Sequence, residues 1–384
     1  MLTENKSYFP HLDTLRFLAF FMVFMNHVAF SLGHKSKNVF VELFKYKYVA
    51  NGDLGVSFFF VLSGFLITYL LLKEKEHSGK INIKNFYMRR VLRIWPLYFL
   101  IILICLLIVP MFSEFIHGPF PIKTGIAKLN PWLYLSFLGN VDFFYHGISN
   151  SLISILWSVS VEEQFYLAWP LIIAFVPRKY LMVVFITLIL ASVSYRLFFS
   201  AGRGMSLKFH TFSSMSDLTC GALLALLCLQ ENFIQRIKKM PRWIILLIYF
   251  AGIILFLKRF DIGLIKRGEL IYSSVMPLLF SLFFAFIILE QNFAERSFFK
   301  AGRFKFFSSL GKYTYGMYCY HMIIFFFILL GLHSAGMNVL GMNKFWLAAV
   351  AVIGLALTIL ISKFSYRYFE SYFLKLKSKF ERKV

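Results

Sequence analysis

Ten apolar stretches, each near the length needed to cross a bilayer, constrain this chain more than any other feature. About twenty apolar residues span the hydrocarbon core, and a backbone there must satisfy its own hydrogen bonds. Windows of that size place spans at 12–33, 53–73, 94–112, 152–176 and 180–200, then at 212–229, 243–258, 271–290, 313–333 and 346–364. The expectation is an all-α, polytopic membrane protein with about ten transmembrane helices. The stretch 131–145, with Pro131, Trp132 and Asn140, is too short to cross and reads as re-entrant or interfacial. Composition agrees: 59% of the residues are hydrophobic and only 15% charged, whereas a soluble domain is near half apolar and a quarter charged. Forty-nine phenylalanines exceed what a soluble core would hold, and lipid is the simplest place for them.

A formal charge of +23 raises the possibility of a nucleic-acid partner. The cations, however, lie in short runs between the apolar stretches, as in the loops of a multispanning protein. No nucleic acid is expected. With the N-terminus inside, 26 of the 41 Lys and Arg residues fall in inner segments, from Lys6 through the run Lys73–Arg93 to the C-terminal tail, against 13 outside. That excess predicts both termini in the cytoplasm. The first span carries Arg16 and His27 and no small-residue cleavage site, so it is expected to stay as a span. Cys105, Cys220, Cys228 and Cys319 all lie in apolar stretches, without metal or disulfide spacing. The tail alternates aromatic and basic residues, Tyr366, Tyr368, Phe369, Tyr372, Lys375 and Lys377 among them, as an interfacial helix on anionic headgroups would. The predicted division is a transmembrane domain over 1–365 and a cytoplasmic amphipathic tail over 366–384, with no appended soluble domain.

Ionisable groups inside spans are costly and mark function. Arg16 and His27 are eleven residues apart, which brings them to within about 20° of one helix face and about 16 Å apart along it. A cation near the cytoplasmic end and an imidazole in the outer half suit an elongated anionic donor. A core histidine with a snorkelling arginine fits the spacing equally well. Arg90 and Arg93 stand one turn apart at the inner mouth of the third span and could grip one phosphate, although topology alone also places arginines there. In Trp157-Ser-Val-Ser-Val-Glu162-Glu163-Gln-Phe-Tyr166, two adjacent carboxyls sit inside an apolar helix. They cannot easily both ionise, and one could orient a histidine while the other bonds the arginines. The run Gly55-Val-Ser-Phe-Phe-Phe-Val-Leu-Ser63-Gly64-Phe65 has small residues suited to close helix packing. Asp13, Asp217 and His321 are lesser candidates, and His321 reads first as structural.

Taken together, Leu12-Asp13-Thr-Leu-Arg16 with His27, the Gly55–Phe65 run, Arg90-x-x-Arg93 and the Glu162-Glu163 motif resemble the acyltransferase-3 family, bacterial integral membrane O-acyltransferases. Asp217–Leu224, Tyr315–Tyr318 and Tyr368–Glu370 match more loosely, so the resemblance runs along nearly the whole chain. Thr14 stands where the family commonly has glycine, Ser57 where an aspartate is frequent, and Ser371-Tyr372 where a proline is frequent. The resemblance implies a bacterial cytoplasmic-membrane enzyme. Its donor substrate would be acetyl-CoA or another acyl-CoA, with no permanently bound cofactor and no metal. The acceptor would be a hydroxyl of a cell-envelope glycan or glycolipid, met among membrane lipids, and a periplasmic partner would be compatible with it. It makes His27 the essential base, has Arg16, Arg90 and Arg93 handle the donor, and adds Glu162 and Glu163 to the catalytic set. Asp13, Ser63, Trp157 and Tyr166 would support it. A neutral imidazole can take the proton from an attacking sugar hydroxyl, and a transient acyl-histidine is the alternative route. By composition alone, a transporter or flippase for an anionic lipid-linked sugar would use the same Arg, His and Glu residues.

Overall fold

A computed structural model describes residues 9, 11–31, 49, 51–113, 115–117, 120–125, 129–147, 150–199, 204–263, 273–340, 342 and 344–380. Lys6, residues 32–33, 200 and 271–272 of three predicted spans, and residues 381–384 of the tail lie outside them. Every predicted span coincides with a helix. These are α1 (His11–Ser31), α2 (Gly52–Ser78), α3 (Ile83–Leu103), α4 (Trp157–Phe175), α5 (Arg178–Phe199), α6 (Thr211–Cys228), α7 (Arg242–Gly263), α8 (Met276–Phe293), α9 (Thr314–Ser334) and α10 (Lys344–Ser365). No strand occurs among the described residues, only an isolated bridge between Thr124 and Asn150. Eight of the helices are long and apolar enough to cross a membrane. A ninth crossing is reached if α7 counts with the short helix Glu231–Lys238, which meets it at 90°. The helix left over is α4, whose first half is diluted by Ser158, Ser160, Glu162, Glu163 and Gln164. The chain is a multi-pass membrane protein.

The helices sort by what they face. Three-quarters of the most apolar stretch of α2 is buried inside the protein, against about a fifth of that of α10 and its continuation. Val183 and Leu190 on α5, Phe250 on α7 and Leu360 on α10 are exposed apolar side chains, the surface a lipid-facing helix presents. At the centre α2 crosses α6 with no side chain between the backbones. A methyl group built on Gly64 would fall on the carbonyl of Leu218, and one on Gly221 on the carbonyl of Val61. Two glycines facing each other's backbones remove the bulk that would hold the helices apart. Gly221→Val is therefore expected to cost at least about 3 kcal/mol and to lower the apparent Tm in detergent, the upper end of overpacking penalties because backbone rather than side chain must yield.

The turn from α2 to α3 is short and locally specified. Gly79 adopts φ 71°, the left-handed conformation that ends a helix, and Asn82 caps α3 by accepting from the Asn85 amide at 2.9 Å. The stretch 131–145 forms two short helices, Pro131–Leu135 and Gly139–His146, neither long enough to cross. At the other end of the chain, α10 continues through a wider turn at Tyr366–Glu370 into Ser371–Lys377. That extension packs against α3, where buried Arg89 donates to the Phe380 carbonyl at 2.8 Å and pairs with Glu74 at 3.2 Å.

Candidate active site

A cavity of about 1040 Å³ opens between α1, α2, α3, α4, α9, the segment 302–312 and the extension of α10. Its charged lining is predominantly basic: Arg16, Arg90, Arg93, Lys305, Lys312 and Lys377, set against Asp13, Glu162 and Glu370. Arg16 is held by Asp13 in a single-turn ion pair on α1. Arg90 and Arg93 enter from the first half of α3, as their one-turn spacing predicts. Arg90 lies over the ring of Tyr166, 5.6 Å from its centroid, and against Phe86. The uncharged lining combines apolar side chains, Val56, Phe59 and Phe60 of α2 among them, with hydroxyl groups such as those of Ser63, Ser158 and Thr314. The cavity can thus take a ligand with several negative charges on one part and an uncharged remainder.

Ser63, Glu162 and Tyr166 form one unit inside it. Ser63 Oγ donates to Glu162 Oε1 at 2.7 Å and lies 3.0 Å from Tyr166 Oη, which donates to Glu162 Oε2 at 3.2 Å. The small-residue run of α2 therefore divides its labour between neighbours: Gly64 makes the crossing with α6, while Ser63 points at α4. The adjacent glutamates divide similarly, because successive helical residues point about 100° apart. Glu163 is not among the residues lining the cavity and accepts from Trp95 Nε1 at 2.8 Å. Trp157 also stays out of the lining and packs edge-on against Phe60 and Phe209.

His27 is not on the cavity wall either, and neither glutamate hydrogen-bonds it. The carboxylate partner expected from sequence is replaced by an imidazole: His27 Nδ1 lies 2.8 Å from Nε2 of His321. His321 is fully buried in α9, and its Nδ1 lies 2.7 Å from the carbonyl of Tyr318. Tyr318 does line the cavity, so the histidine pair stands directly behind one wall residue. The Tyr318 hydroxyl donates to the Ile155 carbonyl at 2.8 Å and sits 2.7 Å from Ser158 Oγ, which ties that wall to α4. Of the expected site residues, the structure brings Asp13, Arg16, Ser63, Arg90, Arg93, Glu162 and Tyr166 around one cavity, and places His27, Trp157 and Glu163 outside its lining.

Four charged groups of the cavity give little separate signal in the sequence. Lys305, Lys312 and Lys377 look there like ordinary inner-side positive charge. Glu370 stands out only within a loosely matched stretch. His321 carried a usable signal, an ionisable ring deep in an apolar helix. Thr14, at the position where glycine is common in the resembled family, donates to the Ala301 carbonyl at 2.9 Å and pins the start of α1 to the segment that supplies Lys305. Among the described residues no group of three or more His, Cys, Asp or Glu is arranged to hold a metal.

The acyltransferase-3 family model, described as an acyltransferase domain, matches residues 9–363. The O-acetyltransferase OatA of Staphylococcus aureus is 31% identical over 229 residues, 58% of this chain and 35% of that protein. The peptidoglycan O-acetyltransferase OatA of Listeria monocytogenes is 32% identical over 173 residues, 43% of this chain and 24% of that protein. The alignments thus span about a third or less of the length of these relatives. No solved structure matches the chain.

Proposed function

Because this chain belongs to the acyltransferase-3 family, we propose that it moves an acyl group, acetyl by default, from cytoplasmic acyl-CoA to a hydroxyl of a cell-envelope glycan or glycolipid. The observation that carries the reading is the basic cavity. Phosphates are the charges such a cluster of guanidinium and ammonium groups suits, and Arg forks grip them in two-point fashion. The uncharged arm of a coenzyme A thioester then has the apolar wall of α2 to follow, toward Tyr318 and the histidine pair. Arg16, Arg90 and Arg93 hold the donor, joined by Lys305, Lys312 and Lys377. The unit of Ser63, Glu162 and Tyr166 fixes the wall between the arginines and the reacting end.

The chemistry asked of the protein is modest. A thioester carbonyl is already electrophilic, whereas the acceptor hydroxyl must lose its proton as it attacks. His27 takes that proton as the new C–O bond forms. The C–S bond then breaks, and the departing thiolate recovers the proton from the imidazolium. Donor and acceptor meet from opposite sides of the Tyr318 wall, the donor from the inner side and the acceptor from the outer side where His27 lies. Both termini then lie in the cytoplasm, as the excess of inner cations argues, and the membrane is the cytoplasmic membrane of a bacterium. The similarity to OatA of L. monocytogenes, a peptidoglycan O-acetyltransferase, supports a peptidoglycan-type acceptor as the first to test.

The test is an NMR census of O-acyl groups on the envelope glycans of the producing cell, in wild type, in a deletion and in the deletion restored with the wild-type gene. An ester signal lost on deletion and regained on complementation supports the reading and identifies the acceptor. An unchanged set of ester signals would remove the glycan acceptor.

A further inference from the structure

Resting on that reading, we propose that His321 is a positioning residue of the transfer reaction, one that holds His27 in the single tautomer able to act as a base through Nε2. The hydrogen-bond chain leaves little freedom. A backbone carbonyl can only accept, so the 2.7 Å contact with the Tyr318 oxygen puts the hydrogen of His321 on Nδ1. In a neutral ring the lone pair then sits on Nε2, the atom 2.8 Å from His27 Nδ1. That contact is a hydrogen bond only if His27 carries its own hydrogen on Nδ1. The lone pair of His27 is thereby assigned to Nε2, the nitrogen left for the acceptor hydroxyl. Which ring nitrogen of a histidine is basic is set by the hydrogen bond the other one makes.

The surroundings favour a neutral chain. His321 is enclosed by Phe20, Phe24 and Tyr318, and no carboxylate among the described residues hydrogen-bonds either ring. A doubly protonated ring there would be a buried charge without a counter-ion. The two rings also lie nearly parallel, 27° apart with centroids at 5.0 Å, so His321 fixes the plane of His27 as well as its tautomer. Tyr318, whose carbonyl starts the chain, is anchored through its hydroxyl to the Ile155 carbonyl just before α4 and to Ser158 in its first turn, one turn before Glu162. His27 and Glu162 are thus oriented from the same packed junction, although they do not touch.

Two replacements separate this role from packing and from direct proton transfer. His321→Gln keeps an oxygen able to accept from His27, but no group that can act as a base at neutral pH. His321→Phe keeps the ring volume and no acceptor. With the full-length protein in nanodiscs and acetyl-CoA as donor, His321→Phe is expected to lower kcat by about 100-fold while the KM for acetyl-CoA stays within about twofold. The glutamine variant should keep within about tenfold of the wild-type rate. A phenylalanine variant at the wild-type rate would overturn the proposal, and so would a glutamine variant as inactive as the phenylalanine one. Should His321→Phe fail to fold, nitrogen NMR of histidine-labelled wild-type protein decides, with the His27 signals assigned by their loss in His27→Gln. A hydrogen on Nδ1 of His27 is expected; one on Nε2 sinks the proposal. Wild-type protein that moves no acyl group refutes the transferase reading instead, and the tautomer is then read separately by the same NMR.

Discussion

Replacing His27 with alanine is expected to cut acyl transfer by about 1000-fold, roughly 4 kcal/mol of barrier, the middle of what a positioned general base contributes. The expectation follows from position as much as from residue type. His27 holds an imidazole partner on Nδ1 and keeps one nitrogen for the substrate. Being absent from the lining of the basic cavity, it contributes little to holding the donor. Transfer should therefore collapse in kcat, with the KM for acetyl-CoA within about twofold of wild type, since only an interaction made in the transition state is lost. Steady-state kinetics on matched amounts of purified protein in nanodiscs check both halves. A kcat near the wild-type value would remove His27 as the base. A large rise in donor KM would mean that the histidine belongs to the donor site.

The second large effect lies in the opposite parameter. Arg90→Ala combined with Arg93→Ala should raise the KM for acetyl-CoA by about 100-fold or more, since each charge-assisted hydrogen bond to a phosphate is worth about 1.5–3 kcal/mol. The single variants are not equivalent. Arg93 is exposed to the cavity, whereas Arg90 also lies on the Tyr166 ring. Losing Arg90 therefore disturbs the unit of Ser63, Glu162 and Tyr166 and should lower kcat as well. Arg93→Lys should recover part of the binding, because a point charge remains while the fork is lost. Salt supplies a further check: the wild-type KM should rise with ionic strength, and that of the double variant should rise less. Donor affinity unchanged in the double variant would rule out this arginine pair as the phosphate grip.

How much of this could be read beforehand differs between fold and site. The ten helices were legible because hydrophobic length is local: whether residues 180–200 can cross a bilayer depends on those residues alone. The same holds for Arg16, Arg90, Arg93 and Glu162, each conspicuous as a charge in or at the mouth of an apolar stretch. Packing order is another matter. Lipid is as apolar as a leucine face, so hydrophobic patterning says which residues avoid water and not which helices touch. The small residues of the Gly55–Phe65 run predicted close packing, but only the crossing shows that Gly64 meets α6 while Ser63 meets Glu162.

The membrane class, the ten helices and the charged residues available to a buried site are thus local properties, each set by the chemistry of a short segment of chain. Which of two adjacent glutamates faces the cavity is not local, since it depends on how α4 is rotated against its neighbours. Folding in three dimensions also brings Glu370 and Lys377 back from the tail, and sets His321 against His27 across 294 residues of chain. Such pairings are properties of helix contacts, and no local pattern of residues encodes them.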